Sequence, residues 1–179
     1  MRSAAILAAT LIFAAPALGE EMPARKPGLW EMKMMFEGGG MPPQTMKQCI
    51  DAATDKAMQS QFGGGAQGTC SKQDIKKAGT TTTIDSVCTV GGATTTSHIV
   101  VTGSFDSGYT MKIASTAGGG RAPGDTRMTI EAKHLGACQA GQKPGDIVMA
   151  NGMKMNVLDM QKMGAPGGMM PPGGMMPGR

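Results

Sequence analysis

From Trp30 to Glu37 the chain alternates: Trp30, Met32, Met34 and Phe36 share one parity, and Glu31, Lys33, Met35 and Glu37 share the other. A period of two is that of a β-strand with one face buried. The pattern recurs. Tyr109, Met111 and Ile113 alternate with Thr110, Lys112 and Ala114, while Met128, Ile130 and Ala132 alternate with Thr129, Glu131 and Lys133. Ile99, Val101 and Phe105 share a face with Gly103, and Ile84, Cys88 and Val90 make another. The runs Thr80–Thr83 and Thr94–Thr96 add β-branched residues, which suit a pleated surface. Gly91-Gly92, Asp106-Ser107-Gly108 and Ala117-Gly118-Gly119-Gly120 punctuate these segments with turn chemistry. Short strands joined by short glycine-rich turns predict an antiparallel meander, and no β-α-β spacing argues for a parallel sheet. The expected fold is therefore mainly β, a curved sheet or partly open barrel with one or two short helices.

The period changes in two places. Between Asp51 and Gln61, residues Ile50, Ala53, Ala57, Met58 and Phe62 recur at helical spacing, with Asp51 placed to cap the helix. Near the end of the domain, Asn151-Gly152 marks a tight turn, and a short helix from Asn156 to Met163 is predicted to follow it.

Both ends of the chain read differently. Arg2, an apolar run from Ala4 to Ala15, and small residues at Ala17 and Gly19 have the organisation of a secretory signal peptide cleaved after Gly19. The run is too short to cross a bilayer as a helix, which takes about 20 residues. The tail from Gly164, GAPGGMMPPGGMMPGR, has no periodicity and no charge before Arg179. Such a segment gathers too few contacts to offset its ordering entropy and is expected to be disordered. The division is thus residues 1–19 as leader, 20–163 as one domain and 164–179 as tail. Localisation is expected to be periplasmic or secreted, with no membrane span in the mature chain.

Four cysteines, Cys49, Cys70, Cys88 and Cys138, follow the leader. An even count in an oxidising compartment implies disulfides, and zinc would favour close pairs such as C-x-x-C, whereas the nearest two cysteines here are 18 positions apart. A hairpin folded near Gly79 sets Cys70 opposite Cys88 on one face of the sheet, where a bridge is allowed. Cys49 then pairs with Cys138, tying the start of the domain to its end.

Composition narrows the function. Aromatic residues make up 3% of the chain, so the core is thin and gains from cross-links. The net charge of +4 is scattered, with no basic stripe and no stacking platform for nucleic acid. No G-x-S-x-G elbow and no phosphate loop is present. His98 and His134, the two histidines, lack a recognisable orienting partner, so no catalytic residue is assigned and no enzyme activity is expected. Methionine is the unusual component: 19 in the chain, nine of them between Met149 and Met176. Thioethers are soft ligands for Cu(I) and Ag(I), and Met160, Met163, Met169, Met170, Met175 and Met176 are the candidates for such a role. They are also flexible core fillers. On the concave face of a curved sheet, Trp30, Met32, Met34, Met111 and Met128 are the candidates to line a site for an apolar ligand.

KPGLWEM at 26–32, MPPQTMKQC at 41–49, SVC at 86–88 and LGAC at 135–138 resemble a bacterial exported family known as domain of unknown function 3617, over about residues 26–160. GSFDSGYTMKI, 103–113, fits that family's rhythm of turn and strand. The resemblance implies an exported, mostly β domain with no established activity, and no cofactor is expected. The expectation is an exported, non-enzymatic binding or envelope-associated module for an apolar ligand. The competing expectation is soft-metal binding through the methionine-rich C-terminal region.

Overall fold

The computed structural model describes residues 22–38, 41–62, 68–90, 92–118 and 124–164. The leader, and the tail beyond Gly164, lie outside the described residues, so the readings made of them above rest on sequence alone.

The chain forms β1 (Gly28–Phe36), β2 (Gln44–Ile50), α1 (Ala52–Phe62), β3 (Gly68–Ala78), β4 (Thr81–Val90), β5 (Ala93–Ser104), β6 (Gly108–Gly118), β7 (Gly124–Gly136), β8 (Asp146–Met149), β9 (Lys154–Asn156) and α2 (Val157–Gly164). The strands make one antiparallel sheet of nine in the order β3-β4-β5-β6-β7-β1-β2-β8-β9. The predicted meander is β3 to β7. Strand β1 pairs with β7, so the first strand follows the last strand of the meander and carries β2 and the β8–β9 hairpin beyond it. The sheet is open rather than a barrel, with β3 and β9 as its edges.

The helices pack on the β2–β9 side, α1 against β2 and α2 against both β9 and α1. There the core gathers Trp30, Ile50, Met58, Ile147 and Val157, and it extends through Met32, Tyr109, Val101 and Ala132 toward the meander. Trp30 is fully buried and its indole Nε1 donates to the Lys26 carbonyl at 2.8 Å, so its one polar atom is satisfied.

Asp51 caps α1. Its Oδ1 accepts from the Thr54 N–H at 2.8 Å, and the Thr54 hydroxyl accepts in return from the Asp51 N–H at 2.9 Å. This reciprocal arrangement satisfies donors at the helix start. The buried face of the helix agrees in part with the one expected from spacing, since Ile50 and Met58 are buried and Ala57 packs against the core. Ala53 is exposed, and Thr54, Asp55 and Met58 point inward. At the other end Asn151-Gly152 turns the β8–β9 hairpin, and Asn156 Oδ1 accepts from the Leu158 N–H at 3.0 Å to start α2.

The cysteine pairs are Cys70–Cys88, with Cα atoms 3.9 Å apart, and Cys49–Cys138, 5.4 Å apart. The β3–β4 turn is Gly79-Thr80, with Gly79 at a left-handed φ of 59°. A regular ladder from that turn would set Cys70 opposite Thr89. A bulge between Cys70 and Lys72 shifts the register by one and brings Cys70 opposite Cys88.

The β8–β9 hairpin is tied by Asp146, which is 1% exposed. Burial pushes its carboxyl up, but the Asn156 amide at 2.9 Å, Lys154 Nζ at 2.7 Å and the Lys143 N–H at 2.9 Å outweigh that and hold it below its ordinary value of 3.8. A depressed carboxylate contributes stability above its unfolded value and loses it as pH falls through the folded one. Asp146→Ala is expected to lower stability by about 2 kcal/mol at pH 7, the cost of stripping partners from buried donors. In urea titrations the gap to wild type should narrow from pH 5 to pH 2, and a constant gap would refute the assignment.

Candidate functional site

The register sets apolar residues in rows across the inner face of the sheet. One row runs Val101, Met111, Ile130, Met34 from β5 to β1. The next, toward one end, runs Ile84, Ile99, Ile113, Met128, Phe36. On the other side Gly103, Tyr109, Ala132, Met32 and Met46 follow in register from β5 to β2. Gly103, with φ 124°, is required there: a side chain on it would come within 2.8 Å of the Tyr109 Cα. Beyond the row of Ile99 the same face turns polar, with Ser86, Ser97, Ser115 and Thr126 in register and the Ser97 and Ser115 hydroxyls 2.8 Å apart.

These rows floor a cleft of about 270 Å³. Met32 and Met34 come from β1, Met46 from β2, and Met111, Met128 and Ile130 from β6 and β7. Met58 and Gln59 of α1 and Met22 and Arg25 of the segment before β1 form its remaining wall, with the rings of Phe105 and Tyr109 4.9 Å apart and tilted by 31° at one side. Four of the five residues expected to line an apolar site are present: Met32, Met34, Met111 and Met128. Trp30 is the exception. It is fully buried one inward position further along β1, its ring 5.8 Å from Tyr109 and 5.3 Å from His134.

The polar end of the cleft is an ion pair that sequence reading missed. Arg25 is 7% exposed and Asp55 is fully buried. Arg25 Nε donates to Asp55 Oδ1 at 2.7 Å and the Arg25 backbone N–H donates to Oδ2 at 2.8 Å. Gln59 Nε2 adds a third bond to the carboxylate at 2.9 Å. Asp55 also lies in the first turn of α1, where the helix dipole favours an anion. On its far edge the guanidinium donates from Nη1 to Gln48 Oε1 at 2.8 Å. It also donates to two thioethers, Met32 Sδ from Nη1 and Met58 Sδ from Nη2, each at 3.7 Å, and the Tyr109 hydroxyl shares its hydrogen bonding. The Trp30 ring lies under the group, 5.8 Å from Arg25 Cζ. Burial pushes the neighbouring Tyr109 phenol up, offset in part by the Arg25 charge.

Neither histidine lines the cleft. His98 stands on the outer face with Nδ1 2.7 Å from Asp85 Oδ1, a hydrogen bond that holds Asp85 below its ordinary value. His134 Nε2 donates to the Pro27 carbonyl at 3.1 Å. Among the described residues no cluster of three or more His, Cys, Asp or Glu side chains could hold a metal. Of the soft-metal candidates, Met160 packs against the core, whereas the side chains of Met163, Met169, Met170, Met175 and Met176 lie outside the described residues. Within the cleft, the sulfurs of Met32 and Met58 already face a fixed guanidinium, which opposes a second cation.

Among the described residues no helix is long and apolar enough to cross a membrane. No curated protein and no solved structure matches the chain. A family model matches residues 25–138, opening on Arg25 and closing on Cys138, and leaves β8, β9 and α2 outside, so the matched span ends with the last motif, LGAC, short of the expected extent to about residue 160. On that match, which covers more than half of the chain, the protein belongs to the family described as Protein of unknown function (DUF3617).

Proposed function

We propose that this protein is an exported, non-enzymatic binding module whose methionine-lined cleft holds a small apolar ligand. The observation that carries the reading is the cleft itself: about 270 Å³ walled by methionine, isoleucine and aromatic side chains, with polar groups confined to one end. A mostly apolar concavity with a few convergent polar atoms is the usual form of a small-molecule site. Methionine adds adaptability, because its unbranched thioether repacks around ligands of different outline. Export is supported by the leader pattern of residues 1–19 and by the two disulfides, which persist in oxidising compartments.

The neutral lipophilic fluorophore N-phenyl-1-naphthylamine tests the reading. Its emission should rise saturably with the protein. Met34→Glu and Met128→Glu, at half-buried positions that tolerate a charge in the free protein, should each weaken binding at least tenfold, since the ligand would then desolvate a carboxylate. Unchanged melting temperatures establish that the variants fold. No saturable signal, or wild-type affinity in both variants, would overturn the proposal. Trp30 emission gives a second readout and should shift on binding, because Arg25, which lines the cleft, lies over the indole ring.

A further inference from the structure

We infer that the ligand is a neutral amphiphile, an alcohol or ester on an aliphatic chain, whose oxygen accepts a hydrogen bond from the η nitrogens of Arg25. The inference rests on the cleft reading and adds the chemistry of the ligand's head. Arg25 lines the cleft. A guanidinium carries five N–H donors. The Nε donor is taken by Asp55, and one η donor by the oxygen of Gln48. Of the three that remain, two face thioether sulfurs at 3.7 Å, weak acceptors, and the Tyr109 hydroxyl is the other neighbour within hydrogen-bonding reach of the group. A buried, charged donor facing sulfur gains by exchanging it for oxygen, since hydrogen bonds to charged groups are the stronger kind. Met32 and Met58, being flexible, can swing aside to admit that oxygen. Apolar rows lead away from this point along the sheet and suit an aliphatic chain, and the serine and threonine row closes their far side.

The head is neutral because Asp55 has already balanced the charge of Arg25. A carboxylate or phosphate seated on the η nitrogens would make two anions share one cation inside a low-dielectric wall. Desolvating an uncompensated anion costs more than a charge-assisted hydrogen bond returns. A hydroxyl or ester carbonyl gains the bond without that penalty.

The test is displacement of N-phenyl-1-naphthylamine from the full mature chain at pH 8 by decanol, 1-chlorodecane and decanoate. Partitioning alone ranks 1-chlorodecane above decanol, because it is the more hydrophobic. The inference predicts the reverse: decanol about tenfold tighter than 1-chlorodecane, and decanoate weaker than decanol. In Arg25→Met/Asp55→Leu, which removes both charges together, the preference for decanol should vanish while the fluorophore still binds. If that variant does not fold, the wild-type series decides alone. A 1-chlorodecane affinity equal to or above that of decanol would show a purely apolar cleft, and decanoate as the tightest competitor would show an anion site. Either result overturns the inference and leaves the cleft reading standing. A fluorophore that never binds removes both.

Discussion

Replacing Cys49 and Cys138 together by alanine is expected to cost about 4–5 kcal/mol, against about 3 kcal/mol for Cys70 and Cys88. The ordering follows from loop length, because a bridge removes more freedom from the unfolded chain the longer the loop it closes. The first pair is separated by 89 positions and the second by 18. Alanine is the right replacement, since Cys49 is fully buried and a serine hydroxyl there would add a separate cost of burial. The long bridge also has a local role. Next to it the Gly145 N–H donates to the Cys49 carbonyl at 2.8 Å, fixing the segment after β7 against the end of β2 and so placing β8. The loss is of the same order as the whole stability of a domain this size, about 5–15 kcal/mol, so Cys49→Ala/Cys138→Ala should be partly unfolded at 37 °C. Parallel urea titrations decide the matter, and equal losses in the two double variants would reject the loop-length account. Ligand binding gives a second readout. The Cys70–Cys88 bridge sits at the β3 edge, away from the cleft, and its removal should leave affinity unchanged.

The meander was legible because its strands bury one face, so burial is written as alternation. Strand β5 shows this plainly, with inner residues more covered than outer ones along most of its length. Strand β2 was not legible for the opposite reason. Gln48, Cys49 and Ile50 are buried in succession, because α1 covers one face and the segment carrying Cys138 and Gly145 covers the other. With both faces covered the period of two disappears. Strands β8 and β9 are four and three residues long, too short to show any period. The Cys70–Cys88 pairing followed from symmetry about Gly79, although the turn spans two residues and it is the bulge that restores the match.

The apolar half of the cleft could be read from Met32, Met34, Met111 and Met128, since inward parity places all four on one face. Its polar end could not. Arg25 and Asp55 are 30 positions apart and belong to no motif. Helical spacing points to Ile50, Ala53, Ala57, Met58 and Phe62; Met58 and Ala57 do face the core, but Ala53 is exposed and Thr54 and Asp55 turn inward. Hydrophobic spacing cannot find a buried face that contains a carboxylate. The one available signal was a charged residue three positions before Met58, on the same face of a capped helix.

Asp55→Ala should therefore be among the most damaging single substitutions in the chain, at about 3–5 kcal/mol, the range for breaking a buried ion pair from one side. The reason is asymmetry. Wild-type Asp55 accepts bonds from the Arg25 backbone, Arg25 Nε and Gln59. Without it the guanidinium remains inside, 7% exposed, with neutral oxygens such as that of Gln48 beside it and no counter-charge. Removing both charges is a different experiment. Arg25→Met/Asp55→Leu fills similar volume without a buried ion, and should recover at least half of the loss. Thermal and urea unfolding of the two single variants and the double variant give the coupling directly, and additive losses would contradict the pairing. The same comparison bears on function. If an apolar pair serves folding nearly as well, stability alone does not account for a cation held at the end of a greasy cleft. Its η nitrogens, two of whose partners are sulfur, then stand as the feature that selects an oxygen-bearing ligand.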